Sequence, residues 1–261
     1  MDKHLSFLLS EGYMLGQLHQ DKSVAATAIP KELVVVTDSK GGRTEYCVTS
    51  TRIVLIGREL PGGPLGEHYG IVCAEDLRSN TVANTFGGGR LEPYANEFRE
   101  EGDTSAEESV LECLLREVDE ELGLSLATDE VTLIGLRTIT EDRSDTLKTI
   151  DGRVCVDAYF CGFVDTRLGA HRAHNGETGD RRVLTPEELL AMPARGSVER
   201  KPLPQTQRLA LATAIITISD LWEKMLPAPI AELIARTLPL ARMTYRSSSW
   251  TKNFIPLIQQ S

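Results

Sequence analysis

The sequence predicts an α/β protein in which helices flank a mixed β-sheet. Short runs of apolar and β-branched residues, typical of strands, stand on both sides of one long segment with helical periodicity. The C-terminal part of the chain is predicted to be helical. Because strands and helices do not alternate regularly, a mixed sheet is expected rather than repeated βαβ units. The strand candidates are residues 33–36, 46–48, 53–56, 69–73, 131–139 and 154–164.

Further helices are predicted from apolar spacing and from capping residues. Residues 4–19 space their apolar side chains as an amphipathic helix does. Thr185 followed by Pro186 marks a helix start, because threonine caps a first turn and proline fits its first position. Segments 206–225 and 230–240 complete the predicted helices, and residues 247–249 are expected to form a tail.

Composition limits the class of partner. The chain has 261 residues, of which 41% are hydrophobic and 25% charged, so it can bury a sizeable core. Its net charge is −10, from 38 acidic and 28 basic residues. An acidic balance disfavours a nucleic-acid backbone as the main partner. A small anionic substrate remains compatible, since a metal ion can bridge two anions.

The cysteines and the hydropathy profile predict a soluble, cytoplasmic protein without membrane partners. Five cysteines form an odd set without a C-x-x-C pair, which disfavours a disulfide framework or a structural zinc site. Buried thiols in a reducing compartment are expected instead. The short apolar run near the N-terminus does not fit a signal peptide, and no stretch approaches the length of a membrane span.

The central helix is predicted over residues 105–122. Ser105 and Glu108 match the capping-box pattern and set its start. Gly123 suits the left-handed position that follows a last helical turn. The apolar residues of this segment form one face, made of Val110, Leu111, Leu114, Leu115, Val118 and Leu122.

Three carboxylates crowd the C-terminal end of this helix. Glu117, Glu120 and Glu121 are three and four residues apart, so they are helical neighbours. Their charges repel one another and also oppose the helix dipole. Folding alone does not reward this arrangement, whereas Mg²⁺ takes oxygen ligands and also binds phosphate oxygens. A charged, solvated helix is the alternative interpretation.

These residues lie within a longer pattern that resembles the signature of the Nudix hydrolases. That signature reads G-x5-E-x7-R-E-U-x-E-E-x-G-U, where U is a bulky aliphatic residue. The resemblance implies an α/β/α sandwich around a mixed sheet. It also implies hydrolysis of a diphosphate linkage in a nucleotide-like substrate. The matching residues are Gly102, Glu108, Arg116, Glu117, Val118, Glu120, Glu121, Gly123 and Leu124.

The same resemblance implies roles for the signature residues. Glu117, Glu120 and Glu121 are expected to bind Mg²⁺, for which Mn²⁺ can substitute, and to take part in catalysis. Arg116 is expected to orient the carboxylates by ion pairing. A degenerate, catalytically silent family member is the alternative.

A second match lies upstream, at residues 86–92 (FGGGRLE). It is similar to the P-G-G segment of Nudix proteins, with Gly87 where proline is common. The resemblance implies that a backbone carbonyl at Gly88 helps to hold the metal. Gly89 and Arg90 are the substrate-binding candidates, and the Arg90 guanidinium could contact a phosphate. A plain glycine turn is the alternative.

The general base, which takes a proton from the attacking water, is expected in the polar, loop-like stretch at residues 168–180. Many Nudix proteins take this base from a glutamate in a comparable position, and Glu177 is the candidate here. The alternative is that Glu177, together with His171 and His174, is merely solvated. Glu141 and Asp142, after the strand predicted at 131–139, are the next candidates.

The expected organisation is an N-terminal extension (1–44), a Nudix hydrolase domain (45–200) and a C-terminal helical extension (201–261). The expected activity is Mg²⁺-dependent hydrolysis of a nucleoside diphosphate-linked compound, such as a nucleotide sugar or ADP-ribose. The alternative is a catalytically silent Nudix module that senses a ligand or mediates an interaction. An isomerase of the isopentenyl diphosphate type would need a further cysteine and glutamate, for which no positions are evident. A homodimer remains open.

Overall fold

The computed structural model describes most of the chain in eleven segments: residues 33–37, 43–58, 69–76, 83–91, 109–141, 146–167, 178–179, 181–192, 203–222, 226–247 and 253–256. Several predictions lie outside these residues. They concern the helix at 4–19, Gly102, Asp142 and the late-loop residues His171, His174 and Glu177.

The described strands form one mixed sheet. The parallel pair β2–β7 lies at its centre, and the other described pairs are antiparallel. Along the main path the order is β4-β3-β2-β7-β5-β9, with β1 beside β2, β6 beside β7 and β8 beside β3. The strands are β1 (Leu33–Thr37), β2 (Arg43–Arg58), β3 (Tyr69–Asp76), β4 (Ala83–Thr85), β5 (Val131–Thr138), β6 (Thr149–Ile150), β7 (Arg153–Arg167), β8 (Arg182–Leu184) and β9 (Phe254–Pro256).

Helices cover both faces of the sheet, which confirms the predicted fold class. On one face, α1 packs through Val110, Leu114 and Val118 against Ile53 and Leu55 of β2. On the other face, α3 and α4 pack against residues that alternate with these along the strands. The helices are α1 (Val110–Leu122), α2 (Pro186–Ala191), α3 (Gln205–Trp222) and α4 (Ala228–Ser247), with a 3₁₀ turn at Thr128–Glu130.

Helix α1 begins later than the sequence predicted. Its N-cap is Ser109, whose hydroxyl accepts from the Glu112 N–H at 3.2 Å, while the Glu112 carboxylate accepts from the Ser109 N–H at 2.8 Å. The start predicted at Ser105 was therefore wrong. The S-x-x-E pattern occurs twice in succession, and only the second copy leads directly into the buried apolar face.

Other local predictions are confirmed. Thr185 caps α2 with Pro186 in its first turn, and Gly123 follows α1 with a φ of 59°. The segments predicted at 46–48 and 53–56 belong to one strand, β2, which continues through polar residues with a register shift between Val48 and Ser50. All five cysteines are buried and free. No helix in the described segments is both long and apolar enough to cross a membrane.

The predicted extensions contribute to the same sheet and core. Strand β1, from the N-terminal extension, pairs along β2, and α3 and α4 cover one face of the sheet. After α4 the chain returns to add β9 beside β5, which the prediction of a tail did not anticipate. Phe254 of β9 meets Tyr159 edge to face, with ring centroids 5.5 Å apart. The domain boundaries at 44 and 200 stay a prediction.

Candidate active site

The glycine segment (Gly87, Gly88 and Gly89) lies against β2 and is held there by backbone hydrogen bonds. The Thr51 N–H donates to the Gly89 carbonyl at 2.8 Å, and the Leu91 N–H donates to the Thr49 carbonyl at 3.1 Å. Phe86 and Leu91 are fully buried at its two ends. The backbone of the segment is therefore fixed in position beside the sheet.

Gly88 occupies a position that requires glycine. Its φ is 124°, a conformation that side chains rarely adopt. A Cβ atom there would lie 2.3 Å from the Thr51 carbonyl oxygen. The close approach of these two backbones is what places the Gly88 peptide beside the end of α1.

Glu121 joins α1 to this segment. Its side chain is 1% exposed, and its Oε2 accepts a hydrogen bond from the Gly88 N–H at 3.0 Å. A backbone donor is a good partner for a buried carboxylate, which would otherwise be costly to desolvate. This glutamate therefore fixes the last turn of the helix against the glycines.

Glu117 and Glu120 converge on one cationic nitrogen. Arg116 Nη1 donates to Glu117 Oε1 at 2.8 Å and to Glu120 Oε2 at 3.1 Å. The Glu117 side chain is 13% exposed and that of Glu120 is 43% exposed. The predicted ion pairing of Arg116 with the helix carboxylates is thus present.

The Glu117 carboxyl also lies directly against Gly89. A Cβ atom on Gly89 would come within 2.1 Å of the Glu117 carboxyl carbon. Burial raises the pKa of Glu117 above its ordinary 4.5, although the neighbouring Arg116 pulls it down. A charged Glu117 is therefore held at a cost, which a further nearby cation would relieve.

Two residues just before β8, Thr178 and Arg181, form hydrogen bonds with the C-terminal end of α1. The Thr178 hydroxyl donates to the Glu121 carbonyl at 3.0 Å. Arg181 Nη1 donates to the carbonyls of Leu122 at 2.7 Å and Gly123 at 3.2 Å. A cation here satisfies the last carbonyls and matches the negative end of the helix dipole. The sequence analysis missed both residues, because nothing local indicates that they reach α1.

Arg52 is a third residue that the sequence analysis missed. Its Nη1 donates to the carbonyls of Gly88 at 2.5 Å and of Thr51 at 3.2 Å. The only sequence signal was its charge within a strand that continues into an apolar run. The structure adds it to the group formed by the glycine segment and the end of α1.

Comparison with known proteins identifies the family. The NUDIX domain model matches residues 69–206, just over half of the chain and including all of α1. The chain belongs to the Nudix family. No curated protein matches the sequence.

Three solved structures are similar to this Nudix protein over much of its length. A MutT/nudix family protein from Enterococcus faecalis shares 10% identity over 78% of this chain and 75% of that chain, with a TM-score of 0.40. The NUDIX domain of Shewanella oneidensis NrtR, complexed with ADP ribose, shares 12% over 68% and 90%, with a TM-score of 0.40. A mutT/nudix family protein from Listeria innocua shares 16% over 66% and 93%, with a TM-score of 0.34.

The remaining predicted site residues differ in how closely they approach α1. The Arg90 side chain is exposed, and the Arg90 carbonyl accepts from Arg116 Nη2 at 3.5 Å. Glu141 is exposed beyond the end of β5. Glu177 lies outside the described residues, next to Thr178.

The donors at this site are those that suit a hard divalent cation. Glu117 and Glu120 already share one cationic nitrogen, and the Gly88 carbonyl accepts from a second cationic group, the Arg52 guanidinium. The residues therefore fit Mg²⁺ in chemical type. Across the part of the chain that the structure describes, however, no three His, Cys, Asp or Glu side chains are grouped as a metal site. Of the other acidic residues of the signature, Glu121 is hydrogen-bonded to the Gly88 N–H, and Glu108 lies outside the described residues.

Proposed function

We propose that this Nudix protein hydrolyses a diphosphate linkage in a nucleoside diphosphate-linked substrate and requires Mg²⁺. A nucleotide sugar or ADP-ribose is the substrate class to test first. The observation that carries the proposal is the convergence of the Glu117 and Glu120 carboxylates on one cationic nitrogen beside Gly89. Family membership and the ADP ribose bound to the Shewanella oneidensis domain support it.

The proposed metal ligands are Glu117, Glu120 and Glu121, with the Gly88 carbonyl as a fourth oxygen donor. A divalent cation bound there would neutralise the diphosphate and lower the pKa of an attacking water. Arg116 keeps Glu117 and Glu120 together before the cation arrives. Gly89 allows the Glu117 carboxyl to lie against the backbone, where a side chain would displace it.

The substrate contacts are proposed on the exposed side of the glycine segment. The Arg90 side chain is exposed, while its carbonyl accepts from Arg116. A guanidinium in this position can bind phosphate oxygens in a forked geometry. Glu177 is proposed as the general base, because Thr178 attaches the adjoining backbone to the end of α1.

A catalytically silent, ligand-sensing Nudix module is the second candidate. The observation that favours it is that the described acidic side chains do not form a ready three-residue metal site. The two candidates make different predictions, since a sensor binds its ligand without turnover.

The deciding experiment is a panel of nucleotide sugars, ADP-ribose and dinucleoside polyphosphates, each incubated with Mg²⁺. Released nucleotide and phosphate products are separated by chromatography, and binding is measured in parallel by calorimetry. The Glu120→Gln protein serves as the control for contaminating hydrolases. Turnover by the wild type that this control lacks would support the hydrolase. Saturable binding with no turnover would favour the sensor.

A further inference from the structure

Arg52 places a positive charge on the carbonyl that the proposed function assigns to the metal. One nitrogen, Nη1, donates to the Gly88 and Thr51 carbonyls at 2.5 and 3.2 Å. The shorter of these bonds goes to the Gly88 carbonyl, and the N–H of the same residue donates to Glu121. Both polar groups flanking the Gly88 Cα are therefore held by side chains, one anionic and one cationic.

The Arg52 side chain leaves β2 on the face opposite the helix that carries the acidic cluster (Glu117, Glu120 and Glu121). Its neighbours on β2 face α1: Ile53 packs in the α1 core, and the Thr51 hydroxyl is 3.6 Å from the Cys113 sulfur. Because successive side chains on a strand point to opposite faces, Arg52 leaves the strand from the face opposite α1. Its guanidinium nevertheless donates to the Gly88 carbonyl.

The electrostatics indicate that the guanidinium and the acidic cluster act on each other. Burial raises the pKa of Glu117, and the positive charge of Arg52 opposes this rise by a smaller amount than Arg116 does. Arg52 is also half-buried, so water screens its charge less than it would at an open surface. A cation held by Glu117 and the Gly88 carbonyl would lie close to this guanidinium and be repelled by it.

We propose that Arg52 is a positioning residue that occupies the Gly88 carbonyl in the metal-free protein and withdraws from it when a divalent cation binds. The inference rests on the proposed metal-dependent function. Two positive groups cannot share one carbonyl oxygen without strong repulsion. Arg52 thus holds the glycine segment and the Gly88 carbonyl in place until the metal takes the place of its guanidinium.

A purely structural role for Arg52 predicts the opposite effect on metal binding. If its hydrogen bonds only hold the Gly88 carbonyl in place, removing them should misplace a ligand and weaken the metal complex. If Arg52 competes with the metal, removing it should strengthen the complex. The direction of the change in Mn²⁺ affinity therefore separates the two roles without any measurement of activity.

The test is a Mn²⁺ titration of the full chain, followed by electron paramagnetic resonance, for wild type, Arg52→Gln and Arg153→Gln. Arg153 is an exposed strand residue that pairs with Glu45, so its variant makes the same change in net charge at a distance from the site. Loss of a charged competitor should tighten Mn²⁺ binding by Arg52→Gln about tenfold. The Arg153→Gln protein should stay within about twofold of wild type, since the effect of a distant exposed charge is screened.

A second measurement uses the wild type alone and holds even if Arg52→Gln does not fold. The side-chain Nε resonance of Arg52 is followed by NMR as Mg²⁺ is added. It should move in step with metal occupancy, and an unchanged resonance at saturation would overturn the inference. Equal or weaker Mn²⁺ binding by folded Arg52→Gln would also overturn it while leaving the proposed function intact. A wild type that binds no Mn²⁺ would instead overturn the proposed function and this inference together.

Discussion

The carboxylate of Glu121 accepts a hydrogen bond from the backbone N–H of Gly88 at 3.0 Å, across 33 residues of sequence. This contact gives Glu121 a different position from its neighbour Glu120, which is 43% exposed and pairs with Arg116. The two signature glutamates are adjacent in the chain, yet one supports the fold of the site and the other faces its open side. Substitutions at the two positions should therefore separate stability from activity.

The first prediction compares Glu121→Ala with Glu120→Ala. Glu121→Ala leaves the Gly88 N–H without its acceptor and opens a space in a buried region. It should lower the free energy of unfolding by about 1–3 kcal/mol. Glu120→Ala should change stability by less than about 0.5 kcal/mol, because surface substitutions seldom do more. Urea denaturation of the metal-free proteins measures both.

Both variants, and the isosteric Glu121→Gln, should lose turnover by about 10²–10³-fold. Glu121→Gln keeps an oxygen that can accept from Gly88 and serves as the control for activity loss without unfolding. A stable Glu121→Ala protein with wild-type activity would mean that the buried carboxylate has neither role.

The second prediction concerns metal removal. Treatment with EDTA should abolish hydrolysis, and added Mg²⁺ or Mn²⁺ should restore it, because the diphosphate and the acidic cluster are both anionic. Removal should also leave the fold intact, since Arg116 and the Gly88 N–H already hold the carboxylates. Far-ultraviolet circular dichroism gives the control. Full turnover in the chelated protein would contradict the proposed chemistry.

The sequence predicted the sheet, the helices and the signature carboxylates because these features are periodic or fall within one short segment. It could not predict the separate positions of Glu120 and Glu121, which depend on where the glycine segment lies. The roles of Arg52 and Arg181 were likewise invisible, because each donates to a carbonyl at least 36 residues away. The error at Ser105 had a local cause, since the capping pattern recurs at Ser109 and only tertiary packing selects between the two copies.

The third prediction follows from the raised pKa of Glu117. A carboxylate whose pKa is higher in the folded state binds its proton more tightly there than in the unfolded chain. The free energy of unfolding therefore falls as pH rises from the ordinary pKa of 4.5 through the folded pKa. Glu117→Gln removes this cost and should raise the melting temperature of the metal-free protein by about 2 °C near pH 7.

The same variant should give a much smaller increase near pH 4, which is below the ordinary pKa of 4.5, because Glu117 is then mostly protonated in both states. Calorimetry at the two pH values checks this, with Glu120→Gln as the exposed control. A lower melting temperature for Glu117→Gln near pH 7 would show that pairing with Arg116 outweighs burial.

The fourth prediction uses neighbouring glycines as a matched pair. In Gly89→Ala the three atoms nearest to the new Cβ belong to the Glu117 carboxyl, which can swing aside, so metal affinity should fall about tenfold with little loss of stability. In Gly88→Ala the new Cβ meets the Thr51 backbone at 2.3 Å and φ is 124°. This variant should cost about 2–4 kcal/mol of stability. Similar stability losses in both proteins would show that Glu117 is fixed rigidly against Gly89.

The last prediction tests Glu177 as the general base. Its neighbour Thr178 is buried and donates to the Glu121 carbonyl, which ties the late segment to the end of α1. If Glu177 takes the proton from water, Glu177→Gln should lower kcat by about 10²–10⁴-fold. Mn²⁺ affinity should stay near that of wild type, and the acidic limb of the pH–rate profile should be lost. Glu141→Gln is the matched control, since Glu141 is exposed beyond the end of β5. A near-normal kcat in Glu177→Gln with a large loss in Glu141→Gln would transfer the role of base to Glu141.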